Sequence, residues 1–155
     1  MIQKTTFELP PQQKQKLLLY LNKLVTSQNI GLFHLDVTEM EEIFLPVLED
    51  KFGLKTRFER VWGHYMTKGG ERPFHKHSVV TMLYYLDIPN GDVGTFVTHD
   101  ERIIPKTNDL YLFPEKLQHK ITPNNTDKIR WAIASECKPE SALFKELVNN
   151  RRQQQ

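Results

Sequence analysis

The 155-residue sequence has a single Cys, only seven Gly and no long apolar run. One cysteine cannot form an internal disulfide, so a secreted disulfide scaffold is excluded. The start, MIQKTTFELPPQQ, lacks the apolar core of a signal peptide. No window approaches the roughly 18 uninterrupted apolar residues of a membrane-spanning helix. We therefore expect a cytoplasmic protein with no membrane partner.

An excess of one charge sign is also missing. Lys plus Arg number 21 and Asp plus Glu number 19, which gives a formal net charge of +2. This balance argues against nucleic-acid binding driven by bulk charge, and it favours a protein or small-molecule partner. The length and the 39% hydrophobic content support one domain, residues 1–155, with a core of its own. What the sequence does have is histidine, six in all.

Residues 1–55 predict a helical support. A stripe of leucines on the run from Pro10 to Thr26 indicates an amphipathic helix, and the short apolar segment Ile30–Val37 is typical of a strand. A capping box that begins at Thr38 predicts a second helix, which should end at Gly53.

Residues 56–137 change to a hydrophobic period of two and predict a β core, followed by a C-terminal helix and tail over residues 138–155. The predicted strands are Thr56–Met66, Val79–Asp87, Thr95–His99, Asp109–Phe113 and Arg130–Glu136. Because helices come first and strands follow, the expected class is α+β with an antiparallel sandwich or barrel.

Three of the histidines form a candidate metal site. His75 and His77 are one residue apart, so both imidazoles face the same side of an extended segment. His119 follows a strand and a turn, and an antiparallel barrel can return it to the first pair. Imidazoles suit Fe, Zn, Cu or Ni and disfavour Mg or Ca. His34, His64 and His99 are weaker candidates for metal ligation.

Arg130 opens a strand that is otherwise apolar, so we expect it either to meet a carboxylate or to reach solvent at the strand end. In the segment 80–87, Thr81, Leu83 and Tyr85 share one face and Tyr84 lies on the other.

Taken in order, these segments resemble the Fe(II)- and 2-oxoglutarate-dependent oxygenases, in the branch similar to prolyl hydroxylases. The resemblance covers about Val61 to Glu136. It is carried first by Tyr65, which lies ten residues before His75, and by His75-Lys-His77, which stands in the place of H-x-D. It continues through the strand 80–87, the glycine turn 90–96 and the strand pair 104–114, and it ends with His119 followed by Pro123 and Arg130.

The resemblance implies a double-stranded β-helix, or jelly roll, with the N-terminal helices packed on it. It also implies Fe(II) held by His75, His77 and His119, and hydroxylation of a substrate with O2 while 2-oxoglutarate becomes succinate and CO2. Arg130 and Tyr85 would bind the distal carboxylate of 2-oxoglutarate, with Lys128 as an alternative anchor. Tyr65 would contact the same cosubstrate, and Thr81 is a further candidate for binding it.

The main departure from the family is His77, which stands where the carboxylate ligand is usual. Two other hypotheses therefore stay open. A cupin-type metal protein also uses H-x-H, but it needs a Glu shortly afterwards, and residues 78–82 are Ser-Val-Val-Thr-Met. A jelly roll without metal would serve as a binding or assembly module.

Overall fold

The computed structural model describes residues 1–153, apart from the side chains of residues 142, 144–147, 150 and 153. Within this range the helices are α1 (Pro11–Asn22), α2 (Val37–Phe52) and α3 (Glu140–Gln153). The strands are β1 (Gln3–Thr6), β2 (Ile30–His34), β3 (Phe58–Met66), β4 (Arg72–His75), β5 (Thr81–Asp87), β6 (Phe96–Val97), β7 (Arg102–Ile103), β8 (Asp109–Phe113), β9 (His119–Ile121) and β10 (Arg130–Cys137). Residues 154–155 of the predicted tail lie outside the described range.

The strands form two antiparallel sheets. A six-stranded sheet has the order β1-β8-β5-β10-β3-β2, and a four-stranded sheet has the order β4-β9-β6-β7. The prediction of an α+β protein with an antiparallel β core is confirmed at this level. The predicted helical support also supplies β1 and β2, which form the two edges of the larger sheet.

The two N-terminal helices begin and end where local chemistry satisfies their backbone groups. Pro11 lies at the first position of α1, where a missing N–H costs nothing. The cap of α2 is Asp36, whose carboxylate accepts a hydrogen bond from the Glu39 N–H at 2.8 Å. The predicted capping box at Thr38 is therefore wrong by two residues. Gly53 ends α2 in the left-handed region, with φ 67°, as predicted.

Side chains alternate between the two faces of the six-stranded sheet. The helix face is defined by Tyr65, Tyr84 and Trp131, which pack with Leu21 of α1 and Phe44 of α2 in one hydrophobic cluster. The two helices thus cover this face, as the sequence predicts.

The cavity face is the opposite surface, and it meets the four-stranded sheet. Met66, Tyr85 and Ala132 from the larger sheet form a second cluster with Phe96 and Ile121 from the smaller one. Among the described residues, no helix is both long and apolar enough to cross a bilayer.

Candidate metal and anion site

Three imidazoles converge between the two sheets. His75, His77 and His119 each present a ring nitrogen, and these atoms lie within 4.8 Å of one another. The ring centroids of His75 and His119 are 4.1 Å apart, and those of His77 and His119 are 5.4 Å apart. The spacing that the sequence predicted for a metal site is therefore present in the folded chain.

Strand pairing positions the two ligands that are distant in sequence. His75 at the end of β4 is the direct partner of His119 at the start of β9. Cross-strand partners on one face are close enough for their side chains to touch. Phe96 stacks on the His119 ring at 5.1 Å, and Phe113 meets the same ring edge-on at 4.9 Å. His119 is thus held in one orientation by packing.

Backbone carbonyls select the tautomers of two ligands. The Nδ1–H of His75 donates to the Pro73 carbonyl at 2.9 Å, and the Nδ1–H of His119 donates to the Leu117 carbonyl at 2.9 Å. A carbonyl oxygen only accepts, so each proton belongs on Nδ1. The lone pair of each Nε2 is then free for a metal ion, which is the usual arrangement of metal-binding histidines.

The electrostatics of the cluster favour neutral imidazoles. Burial lowers the pKa of His75 and His77, and it lowers the pKa of His119 to about 4. The nearby Arg72 guanidinium lowers all three further. At neutral pH the three rings therefore offer lone pairs without first losing protons.

The three histidines line a cavity of about 30 Å³, and the charged side chain among its lining residues is the cationic guanidinium of Arg72. Its polar lining groups are the three histidines, His64, Arg72, Thr81 and the Trp62 indole. None of the described lining residues is an Asp or Glu. A divalent metal placed here adds to the charge of Arg72, so the site needs anions from outside the chain.

Arg130 adds a second guanidinium next to this cavity. It is 1% exposed, its Nη1 donates to the Val93 carbonyl at 2.7 Å, and its Cζ lies 5.5 Å from the centre of the Tyr85 ring. Among the described residues no carboxylate is within ion-pair distance of it. Arg130 does not reach solvent and has no internal counter-ion, so its charge is uncompensated.

Tyr85 and His64 complete a set of unsatisfied polar groups. The Tyr85 hydroxyl and the His64 Nε2 are buried, and neither has a hydrogen-bond partner in the described part of the chain. Burial raises the pKa of Tyr85 to about 12, an effect that Arg130 partly opposes. Burial also lowers the pKa of His64, and the charges of Arg72 and Arg130 act in the same direction. His64 therefore lies within electrostatic reach of both guanidinium groups.

Three of the predicted cosubstrate residues, Thr81, Tyr85 and Arg130, lie on the cavity face. Thr81 lines the cavity, while Tyr85 and Arg130 are buried together on the same face without lining it. The alternative anchor Lys128 is exposed in the turn before β10, where its carbonyl accepts from the Asn124 side chain. Burial thus distinguishes Arg130 from Lys128.

Tyr65 lies on the helix face, away from the histidines. Its hydroxyl donates to the Gln28 carbonyl at 3.1 Å, and its ring stacks on Phe33. Gly31 is its cross-strand partner, where a Cβ would lie 2.2 Å from the Tyr65 ring. The prediction that Tyr65 contacts the cosubstrate therefore does not fit the structure, because alternation sends this side chain to the other side of the sheet.

The residues on either side of Tyr65 occupy the position that was predicted for it. Met66 belongs to the cluster on the cavity face, and His64 lines the cavity. The sequence predicts His64 only as a weak candidate for metal ligation, with no other role. The available signal in the sequence was that His64 lies two residues from Met66 on one strand, so that both side chains are on the same face. His34 and His99 lie outside the cluster of three.

Comparisons with known proteins place this fold. No family model and no curated protein matches the sequence. HygX from Streptomyces hygroscopicus, with nickel and 2-oxoglutarate bound, superposes with a TM-score of 0.69 at 13% identity, over 90% of this chain and 83% of that one. A 2OG-Fe(II) oxygenase family oxidoreductase from Burkholderia pseudomallei gives 0.66 at 11% identity, over 87% and 84%. A Pseudomonas putida prolyl-4-hydroxylase gives 0.62 at 12% identity, over 90% and 92%. The chain shares the fold of these proteins.

Proposed function

We propose that this protein is a non-haem Fe(II)- and 2-oxoglutarate-dependent oxygenase that hydroxylates a protein or small-molecule substrate and forms succinate and CO2. In this proposal the two sheets are the halves of a double-stranded β-helix. One observation carries the proposal: three convergent neutral imidazoles share a cavity with the Arg72 guanidinium and no described carboxylate, and Arg130 is buried on the same face of the sheet. The likeness to oxygenases in fold supports it.

The donor set fits a first-row transition metal. Three imidazole nitrogens suit Fe(II) and Ni(II), and they leave part of an octahedral coordination sphere open. Two of the three, His75 and His119, already have their Nδ1 protons engaged by carbonyl groups. Such second contacts orient the ring and raise its affinity for the ion.

The buried cationic group fits a dicarboxylate cosubstrate. Arg130 is the natural partner for the distal carboxylate, because a guanidinium binds a carboxylate with two parallel hydrogen bonds. The unpartnered Tyr85 hydroxyl lies beside it and supplies a further donor. The cavity of about 30 Å³ is smaller than 2-oxoglutarate, so we expect lining side chains to move when the cosubstrate binds.

Each residue then has a defined task. Fe(II), when bound, supplies the redox chemistry that couples decarboxylation of 2-oxoglutarate to hydroxylation of a substrate. His75, His77 and His119 hold the metal, and Arg130 with Tyr85 fixes the far end of the cosubstrate. His64 and Thr81 line the same cavity as the three histidines and would orient the remaining oxygen atoms. The apolar walls formed by Phe96 and Phe113 exclude water.

His77 changes the charge at the metal. The usual facial set of two histidines and one carboxylate brings one negative charge, whereas three imidazoles bring none. The cosubstrate dianion therefore has to balance both the metal and the two guanidinium groups. We expect metal binding and 2-oxoglutarate binding to be strongly coupled in this protein.

The two alternatives leave these observations without a cause. A metal-free binding module gives no reason to bury Arg130 without a counter-ion in the described chain and the Tyr85 hydroxyl without a hydrogen bond. A cupin-type metal site does not need a buried guanidinium beside its ligands, and the stretch after His77 has no Glu.

Formation of succinate is the direct test. The full chain is incubated with Fe(II), 2-oxoglutarate and O2, and succinate is measured for the wild type, His119→Ala and His77→Asp. We expect iron-dependent succinate from the wild type and none from His119→Ala. His77→Asp restores the carboxylate and should retain both iron binding and turnover. Wild-type protein that binds iron and forms no succinate would refute the oxygenase proposal.

A further inference from the structure

A second, larger cavity opens beside the third histidine. Its volume is about 580 Å³, which is the usual size for a small-molecule site. It shares Trp62 and His77 with the histidine cavity. A molecule in this groove therefore lies next to the metal-binding side chains without passing through the buried Arg130 region.

The groove carries a positive charge that the chain does not balance. Arg60 forms an ion pair with the buried carboxylate of Glu136, so these two lining charges cancel. Lys76 and Lys116 also line the groove, both are exposed, and neither has an ion-pair partner among the described residues. Two ammonium groups at the mouth of one cavity attract anions and repel cations.

Both lysines are fixed close to His77. Lys76 precedes it in the chain, and the Lys116 N–H donates to the His77 carbonyl at 2.7 Å. The backbone of Lys116 has φ 64°, which is in the left-handed region that favours glycine. The hydrogen bond to His77 uses only the backbone, so glycine at this position would form it without the steric cost that a Cβ brings in this region. The turn does not need the lysine side chain, which leaves its charge as the feature to explain.

The floor of the groove is apolar. Trp62 is half-buried, and its ring centroid is 6.1 Å from that of His77. Leu32 on the neighbouring edge strand is 49% exposed and lines the same groove. Trp62 and Leu32 present an aromatic and an aliphatic surface on one side of the groove, and the lysines lie at its edge.

We infer that this groove binds the substrate, and that the substrate is a small organic anion with a carboxylate or phosphate group on an apolar or aromatic body. The inference names the substrate class for the proposed oxygenase and in that sense rests on it. The anionic group lies between Lys76 and Lys116, and the apolar body lies on Trp62 and Leu32. The carbon nearest His77 is then the one presented to the metal.

Binding of matched probes to the metal-free full chain tests the groove alone. The probes are 4-phenylbutyrate, its neutral amide 4-phenylbutyramide and the cationic 4-phenylbutylamine, compared by calorimetry at low salt in the presence of a chelator. We expect the anion to bind at least about tenfold more tightly than the amide, the amine to bind more weakly than both, and added salt to reduce the difference. Equal affinity for the three probes, or tighter binding of an Asp-rich peptide than of the small anion, would overturn the inference.

Substitutions of the two lysines distinguish the effect of their charge on probe binding from effects on folding and from the proposed oxygenase function. Lys76→Met and Lys116→Gly should each weaken 4-phenylbutyrate binding by about threefold to fivefold, a typical effect of one exposed charge pair. Lys116→Arg should retain binding, and Lys14→Met on α1 is the matched control that should not change it. Lys116→Gly should unfold at the same or higher urea concentration than the wild type, because it relieves the backbone. Unchanged anion binding in the Lys76→Met/Lys116→Gly double variant would contradict the inference.

Because these measurements need neither iron nor 2-oxoglutarate, their failure is distinct from a failure to form succinate. Arg130→Met provides the reciprocal control, since it should weaken 2-oxoglutarate binding to the Fe(II)-loaded protein and keep 4-phenylbutyrate binding to the metal-free protein. Loss of both ligands in Arg130→Met would mean that the probe does not use the groove, and it would also overturn the inference.

Discussion

The two faces of the six-stranded sheet differ in how they treat buried polar groups. On the helix face the Trp131 indole N–H donates to Asn22 at 3.0 Å, and the Tyr84 hydroxyl contacts the Phe7 carbonyl at 3.0 Å and the Asn108 amide oxygen at 2.8 Å. On the cavity face, Arg130 has no counter-ion in the described chain and the Tyr85 hydroxyl has no partner.

These contrasting residues are neighbours in sequence. Arg130 precedes Trp131 on β10, and Tyr84 precedes Tyr85 on β5, so alternation along each strand sends one of the pair to each face. Buried polar groups in native proteins nearly always have partners. The helix face is therefore a complete core, and in the proposed function the cavity face is completed by a ligand.

The largest expected effect is on metal affinity. His119→Ala removes one of three ligands and should weaken Ni(II) binding by more than the roughly 10- to 100-fold that follows loss of an outer-shell partner. His99→Ala is the matched control, because His99 stacks on Phe74 outside the cluster of three. The measurement is calorimetric titration with Ni(II). Equal affinity of His119→Ala and the wild type would show that the cluster is not the metal site.

Arg130→Met should separate function from stability. A charged hydrogen-bonding partner contributes about 1.5–3 kcal/mol, so 2-oxoglutarate affinity should fall by roughly 10- to 100-fold. Stability to urea should be unchanged or higher, because the variant removes a buried charge that has no described counter-ion. Calorimetry and urea unfolding test the two parts. Strong destabilisation with unchanged 2-oxoglutarate affinity would mean that Arg130 serves the fold.

Acidification should lower the free energy of unfolding of the metal-free protein through the buried histidine on the cavity face. The unfolded chain takes up protons on histidine near pH 6.5, whereas burial keeps the folded pKa of His119 at about 4. Protons then favour the unfolded state as the pH falls below about 6.5. From His119 alone the free energy of unfolding should decrease by about 2 kcal/mol at pH 5.

Urea unfolding at pH 7, 6 and 5 tests this pH dependence. The lowered pKa of Glu41 acts in the same direction but only below its ordinary value of 4.5, so this range separates the two. His119→Gln should reduce the pH dependence without abolishing it, because burial also lowers the pKa of His64, His75 and His77. Constant stability of the wild type between pH 7 and pH 5 would contradict the burial argument.

The smallest expected effects are those of substituting the adjacent tyrosines Tyr84 and Tyr85. Tyr84→Phe removes a hydroxyl that has partners and should cost about 1 kcal/mol of stability without changing 2-oxoglutarate affinity. Tyr85→Phe removes a hydroxyl that has none, so it should leave stability unchanged and weaken 2-oxoglutarate binding severalfold. The same two measurements apply. A similar loss of stability in both variants would remove the contrast between the faces.

The sequence predicted the convergence of the three histidines because order and spacing carry that information. His75 and His77 share a face in any extended segment, and antiparallel return brings His119 beside them, as the β4–β9 pairing shows. The sequence also singled out Arg130, which opens an apolar strand, but it predicted a carboxylate partner or contact with solvent, and the described chain provides neither. These features follow from alternation and topology, which pattern alone can indicate.

Register and tertiary partners were harder to predict. Tyr65 was assigned by counting ten residues back from His75, and a shift of one residue reverses the face of a strand side chain. His64, which does line the cavity, shares a face with Met66, but this spacing alone does not separate a cavity-lining histidine from a structural one. The short strands β1, β4, β7 and β9 were not predicted as strands, because two to four residues carry too little periodicity.

Anaerobic titration of the Fe(II)-loaded protein with 2-oxoglutarate, followed by visible absorbance, tests the central claim most directly. We expect a weak charge-transfer band that saturates with increasing 2-oxoglutarate, forms fully in Tyr84→Phe and requires much higher concentrations in Arg130→Met. Iron that binds to the protein but gives no band at any concentration of 2-oxoglutarate would contradict the claim that the cavity face is completed by a metal and this dicarboxylate.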